Sequence, residues 1–233
     1  MTAATLGTAP AQATTGGRSR PPAVVLVDAD DWHSALAASV LLSPPLSSPV
    51  LFSDGNDLPP ATAHAIDELR PTGARSAAGA QVIRVGDVAR PENRKTVDIA
   101  GSDPFTLARS IDAFSAAARG RTSDEVIVVG SEDPAYAMPA AAYAALSGDP
   151  ILYVTRNAVP QPTADALKAH QQPKIFVVGP HASVSEPVVR RLRTFGDVTR
   201  VSGKDPVQNA IAFARFRSGG FGWGVTDPGH GFV

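Results

Sequence analysis

Two groups of basic residues are the strongest candidates for chemistry in this chain. The first holds Arg84, Arg90, Arg94 and Lys95; the second holds Arg190, Arg191, Arg193, Arg200 and Lys204. Each lies at or after the third apolar run of its half of the sequence. A guanidinium presents a planar fork of donors that matches phosphate or carboxylate oxygens two at a time. Two such groups in one chain point to an acidic polymer as ligand. The competing reading is a solvated helix face. Val188, Val189 and Leu192 form an apolar stripe, so Arg190 and Arg193, three residues apart, face away from the core.

Other chemistries find less support. Asp28, Asp30 and Asp31 follow an apolar run and could hold a hard cation through carboxylates. The equivalent stretch, Gly130-Ser131-Glu132-Asp133, keeps only its last two acids. Capping of the next helix explains the shared Asp31 and Asp133. The histidines at 33, 64, 170, 181 and 230 contain no i, i+4 pair, and none recurs in both halves, which argues against a histidine metal set. Ser218–Gly224 is rich in glycine, but it precedes an expected strand instead of linking a strand to a helix. It therefore lacks the helix N-terminus that cradles phosphate. No G-x-S-x-G elbow occurs. The absence of cysteine excludes thiolate catalysis, disulfides and cysteine-ligated zinc. The residues thus predict no catalytic set, metal or cofactor.

The elements that must position these groups alternate between strand and helix. In the first half, strands are expected at 23–27, 49–52, 81–85 and 96–100. Helices are expected at 32–42, at 60–69 behind Pro59-Pro60, and at 104–118 behind an Asp103 cap. Residues 71–80, PTGARSAAGA, read as a flexible loop. In the second half, strands are expected at 125–129, 150–154, 174–178 and 198–202. Helices are expected at 134–147, 161–170, 184–194 and 206–216, the third of these having only a shortened counterpart in the first half. Strands alternating with helices predict a mainly parallel sheet covered on both faces.

The two halves are copies of one unit, offset by about 102 residues. Pro49, Leu51, Asn56, Pro59, Thr62, Ala63 and Ala65 recur as Pro150, Leu152, Asn157, Pro160, Thr163, Ala164 and Ala166. IAGSDPF at 99–105 and VSGKDPV at 201–207 keep Gly, Asp and Pro in register. Hydrophobic content of 43% lets each unit bury a core, and aromatic content of 6% leaves few large anchors. With 21 basic and 22 acidic residues, there is no global positive field for nucleic acid. No run reaches the roughly 18 apolar residues of a membrane span. Residues 1–22 read as a disordered tail or the remnant of a signal peptide.

The order of these segments, twice over, resembles the cell wall-binding repeat 2 family across residues 23–233. VVLVDADDWHSALAAS is similar to that family's module start, with Ser34 and Tyr136 where the usual helix aspartate stands. Its Ile-Leu-Leu strand corresponds to Val50-Leu51-Phe52 and Ile151-Leu152-Tyr153. Its Leu-Pro helix start corresponds to Leu58-Pro59 and Val159-Pro160, and its Val-Gly-Gly turn to Val85-Gly86-Asp87 and Val178-Gly179-Pro180. Its Ser-Gly-x-Asp-Arg-Tyr segment corresponds to Ala100–Phe105 and Ser202–Val207, with the Arg and Tyr missing from both. The resemblance implies Rossmann-like modules, typically three around a pseudo-threefold axis, that hold a surface protein non-covalently on a Gram-positive cell wall.

The expectations are therefore an α/β chain of tandem Rossmann-like modules with mainly parallel sheets covered by helices. Module 1 is expected at 23–118 and module 2 at 125–216. Residues 217–233 are expected to be a linker and the first strand of a truncated third module. The expected function is non-enzymatic binding of an anionic wall polysaccharide or teichoic-type polymer by a secreted, wall-located protein, with no nucleic acid or membrane span involved. Self-association through an open third-module interface is also expected. The alternative is a small-molecule-binding or hydrolytic α/β enzyme with its site at the strand carboxyl ends.

Overall fold

A computed structural model describes residues 20–226. The first sheet contains β1 (Val24–Asp28), β2 (Val50–Ser53), β3 (Val82–Val85) and β4 (Thr96–Ile99), in the order β2-β1-β3-β4. Its helices are α1 (Trp32–Ala38), which runs on into a 3₁₀ turn at Ser39–Leu42, α2 (Pro60–Leu69) and α3 (Pro104–Arg119). The second sheet contains β5 (Glu125–Gly130), β6 (Ile151–Val154), β7 (Lys174–Val178) and β8 (Asp197–Val201), in the order β6-β5-β7-β8. With it go α4 (Pro134–Ala137), α5 (Pro139–Ser147), α6 (Gln161–Ala169), α7 (Glu186–Leu192) and α8 (Pro206–Arg215). Every strand pairing is parallel. The fold is the tandem Rossmann-like α/β architecture that the alternating pattern predicts.

Local chemistry explains the elements. The central strands are runs of Val and Ile that are buried on both faces, as parallel strands require. On β1 and β3, Val25, Val27, Ile83 and Val85 join the main core. Val24, Leu26 and Val82 instead join a smaller cluster with Ile66 of α2. Four helices open on an aspartate whose carboxylate accepts orphan backbone N–H groups: Asp31, Asp103, Asp133 and Asp205. Each but the first has proline at the next position, where a missing N–H costs nothing. The shared glycine of the Gly-x-Asp-Pro segments has a steric cause. A methyl at Gly101 would strike the backbone of Leu107, and one at Gly203 the backbone of Gln208 and Asn209.

Helix α3 fuses the two units. It leaves β4 and packs on α1, then lies along β6 and α6 of the second sheet. There Asp112 accepts a hydrogen bond from His170 Nε2 at 2.9 Å, while His170 Nδ1 meets the Ser123 carbonyl at 2.8 Å. Both ring nitrogens face oxygen acceptors, so only the doubly protonated imidazolium satisfies them. Burial pushes the His170 pKa down, but the bond and charge of Asp112, the Ser123 carbonyl and the Asp149 charge outweigh it and hold the pKa above the ordinary value. At the other end of the seam, Tyr153 of β6 donates to the His33 carbonyl at 2.7 Å. Trp32 stacks on His33, with ring centroids 3.8 Å apart. One core therefore spans both sheets.

Several segments depart from expectation. The helix foreseen at 134–147 is two helices, α4 and α5, because Pro139 has no N–H to give and crowds the preceding turn. The 71–80 loop is not a loose insert. Ala74, Ala77 and Ala80 are buried in the core, and a bridge pairs Ala74 with Ala80. No helix forms between β3 and β4, whereas α7 joins β7 to β8. The glycine-rich 218–224 segment folds back onto the second sheet. Phe221 stacks on Phe176 with centroids 3.6 Å apart, and Tyr143 Oη accepts from Gly222 N–H at 2.8 Å. The expected third-module strand at 231–233 and most of the 1–22 tail lie outside the described residues.

Two measurements test this packing. Phe221→Ala should cost about 3–5 kcal/mol of unfolding free energy, the usual price of emptying a buried aromatic site. Denaturant unfolding will show it as a lower midpoint with an unchanged slope. Asp112→Asn should cost about 3 kcal/mol at mildly acidic pH by stranding a buried imidazolium. Because the folded pKa of His170 is raised, the pair contributes fully below the unfolded value, about 6.5, and fades as pH rises through the folded value. The melting-temperature gap between wild type and Asp112→Asn should therefore narrow as pH increases; a widening gap contradicts the assignment.

Candidate functional site

The nine basic residues separate into distinct roles. Arg84 on β3 is only 8% exposed. Its Nε donates to the carbonyls of Val88 at 3.1 Å and Ala89 at 2.9 Å, its Nη2 to Val88, and its Nη1 to Asp98 at 2.9 Å. Arg200 on β8 donates from Nη1 to the Gly179 carbonyl at 2.8 Å and from Nη2 to the Val184 carbonyl at 2.7 Å. Asp98 lies opposite Arg84 across the β3–β4 ladder, and Arg200 lies opposite Val177 across β7–β8. Each unit thus places one guanidinium, from neighbouring strands, beneath the loop that follows its third strand. These two arginines hold loops.

The remaining seven are more exposed and differ in what they touch. Arg90 pairs with Asp98 and bonds Thr96. Slight burial raises the Asp98 carboxyl, but the bonds and charges of Arg84 and Arg90 outweigh it and hold the pKa below its ordinary value. Arg94 meets Asp67 at 2.6 Å, and Lys95 bonds the Ala78 carbonyl. Arg193 lies 3.5 Å from Glu186, and Arg191 sits 5.2 Å above the Phe195 ring. Arg190 and Lys204 are exposed and form no ion pair among the described residues. No hydrogen bond or ion pair joins the first cluster to the second. Each stays with its own sheet.

The two sheets nevertheless run the same way. His33 Nε2 meets the Ser131 carbonyl at 2.9 Å, which brings the carboxyl ends of β1 and β5 together. At the opposite end, an open surface hollow of about 590 Å³ lies between the units, lined by Ser43, Pro44, Pro45, Ala118, Arg119, Arg121 and Ser147. These residues all lead into β2, β5 or β6. Arg119 Nη2 donates to Ser43 Oγ at 2.8 Å, and its guanidinium fills the space that a side chain at Gly148 would need. Burial lowers the Arg119 pKa, while Asp149 and Asp112 raise it and Arg121 lowers it further. The group stays charged, since arginine begins far above neutrality.

Charge is segregated along this direction. Segments that follow strands carry Asp28, Asp30, Asp31, Asp54, Asp57, Asp87, Glu132 and Asp133, set against Arg156 and Lys204. Segments that lead into strands carry Arg20, Arg70, Arg75, Arg94, Lys95, Arg119, Arg121, Lys168, Arg190, Arg191 and Arg193, set against Asp67, Glu68, Glu92, Asp124, Asp149 and Asp197. Asp149 is buried and bonded to Ser123. Five of the nine residues read from the sequence therefore lie toward the basic end, together with Arg119 and Arg121, which the sequence reading missed. A signal existed in the two arginines flanking Gly120, but their repeat equivalents are Phe221 and Trp223, so the two-copy criterion passed over them. Among the described residues no three acidic or histidine side chains converge as a metal set, and no helix is long and apolar enough to cross a membrane.

Comparisons with known proteins agree with this architecture. Cwp6 from Clostridium difficile superposes with a TM-score of 0.70 at 19% identity, over 82% of this chain and 31% of that one. Cwp8 from the same organism gives 0.64 at 23% identity, over 86% and 34%. The chain spans about a third of the length of either, and at such identities the likeness establishes the fold. A search of curated protein sequences returns no match. The family model of cell wall binding domain 2 (CWB2) matches residues 98–189, from β4 through α3 and into α7. That span joins α3 to the sheet it roofs. Residues 98–189 of this chain thus match the cell wall binding domain 2 (CWB2) family, and the folds agree around them.

Proposed function

We propose that this protein binds an anionic polymer of the cell wall through the basic end of its two sheets. The binding is non-covalent and involves no catalysis. Its consequence is to hold a secreted protein at the surface of a Gram-positive cell, with a teichoic-type polymer or acidic polysaccharide as partner. The observation that carries the reading is the open hollow at the seam, where Arg121 is exposed and Arg119 half-buried, on the side that also bears Lys95, Arg190, Arg191 and Arg193. An extended polyanion needs cations spread along a face, and arginine pairs with its phosphate or carboxylate groups bidentately. The match of residues 98–189 to the CWB2 family supports the wall as the target.

The enzyme reading places its site at the strand carboxyl ends, where open α/β sheets bind small ligands. Here that end is acidic and largely occupied by caps. Asp31 bonds His33 N–H, and Asp133 bonds Ala135 N–H. The hollow lies at the opposite end, which favours the binding reading.

Sedimentation with purified Gram-positive walls tests the proposal. The double variant Arg121→Glu/Arg191→Glu should weaken binding at least tenfold, about 1.4 kcal/mol. Lys204→Glu, on the other end, should leave binding unchanged. Binding should fall with added salt, as screened charge contacts do, and should vanish on walls stripped of polymer by acid. Undiminished binding to stripped walls, or by the double variant, would refute the anionic-polymer assignment.

A further inference from the structure

A guanidinium carries a fork of N–H donors, and each donor withdrawn from water needs an acceptor. Arg84 and Arg200 find theirs in loop carbonyls and carboxylates. Arg119 does not. It is half-buried, yet among the described residues its one hydrogen bond runs from Nη2 to Ser43 Oγ at 2.8 Å, and no carboxylate pairs with it. Its Nε–H, both hydrogens of Nη1 and one of Nη2 are left without a protein acceptor. Asp112 and Asp149 attract the Arg119 charge from further off, but Asp112 is bonded to His170 and Asp149 to Ser123.

The group is nevertheless held in place. Its guanidinium occupies the space that a side chain at Gly148 would need, and Gly148 ends α5 in the left-handed conformation that suits glycine, at φ +77°. Ser43 is buried, and its hydroxyl already donates to the Val40 carbonyl at 2.7 Å, so it only accepts from Arg119. An arginine fixed by a neutral partner keeps its charge and most of its donors for something else.

The rest of the hollow supplies matching chemistry. Arg121 is exposed, forms no ion pair among the described residues, and lies close enough to depress the Arg119 pKa through like-charge repulsion. An oxyanion between the two would relieve that repulsion. Ser147 Oγ accepts from the Asp149 N–H at 3.1 Å, which leaves its own O–H to donate. No acid lines the hollow, and Pro44, Pro45 and Ala118 complete its wall. The hollow belongs to neither unit alone, since Ser43 leads into β2, Arg119 ends α3 and Ser147 ends α5. Nor is it built twice. The repeat equivalents of Arg119 and Arg121 are Phe221, buried against Phe176, and Trp223.

We propose that the seam hollow is a subsite for one oxyanion group, a phosphodiester or a carboxylate, held by the Arg119 fork, Arg121 and the Ser147 hydroxyl. The two described units share this one subsite; it is not one per unit. The proposal rests on the wall-binding reading for the source of the anion and adds where one of its charged groups sits.

Nuclear magnetic resonance of the intact ¹⁵N-labelled chain is the test, with dimethyl phosphate and acetate titrated separately at constant ionic strength. The Arg119 Nε–H signal, assigned by its loss in Arg119→Lys, and the Gly148 amide should shift together and saturate as a single site; the tighter probe names the group. Arg121→Gln should weaken that binding about threefold, as loss of a half-exposed charge contact does. Arg119→Lys keeps the charge but not the fork, and should weaken it at least tenfold at the Gly148 amide. Lys204→Gln, at the other end, should change nothing. Thermal melts verify folding, and Ser147→Glu, which sets a carboxylate in the hollow, replaces Arg119→Lys should that variant unfold; it should abolish the Arg119 response. Shifts with neither probe, shifts that never saturate, or full binding by Arg119→Lys would each overturn the subsite. Sedimentation with walls separates the two claims. A wild type that binds walls while Arg119 ignores both probes sinks the subsite and spares the reading; saturable binding at Arg119 in a chain that ignores walls does the reverse.

Discussion

The contact between Asp112 and His170 determines how the second sheet sits on the first. It joins α3, which the chain delivers from β4, to the end of α6, and through Ser123 it also ties down the segment leading into β5. A buried charge pair cannot slide without exposing one partner to an apolar wall, at a cost of several kcal/mol. Apolar contacts elsewhere along α3 are tolerant of small shifts; this pair is not. It therefore fixes register between the units. The direction of both sheets, the seam hollow and the common basic end all follow from that register.

Much of the fold is legible in the sequence because it arises from local chemistry. Valine runs announce buried parallel strands, and aspartate before proline announces helix starts, so element order and most boundaries emerge within a residue or two. What is not legible arises between copies. His33 and His170 have no counterparts in the other unit, and on that ground they look incidental. They are in fact the residues that bond one unit to the other, through Ser131 and Asp112. A test that asks for recurrence removes the groups that act across a boundary between unlike neighbours. The alanines of 71–80 mislead for a related reason: small residues next to glycine suggest looseness until the surface they fill is known.

The basic clusters show the same division. Arginine in a strand of otherwise apolar residues, as at 84, signals a guanidinium with nearby oxygen acceptors, but the sequence does not say whether those acceptors belong to a ligand or to the protein. In both units they are carbonyls of the loop after the third strand. That the two units achieve this from different strands indicates a requirement of the loop and not of a shared ligand motif. Of the seven cations left over, five lie on the segments that lead into strands, and their gathering at one end requires the topology of both sheets.

The polarity of the molecule has an asymmetric origin. In a parallel α/β unit every helix begins at the carboxyl end of a strand, where its first N–H groups need acceptors. Asp31, Asp103, Asp133 and Asp205 meet that need, so acid at this end is required by folding. The opposite end holds helix C-termini, whose partial negative charge favours cations by only about 0.3–1 kcal/mol each. Capping there is also served by glycine, as at Gly120 and Gly148. Arginines at that end are thus weakly constrained by stability and free to be selected for contact with a polyanion. The acidic end repels polyanions. One fold-imposed charge and one optional charge together leave the molecule with a single basic face, as the proposed binding of a polyanion requires.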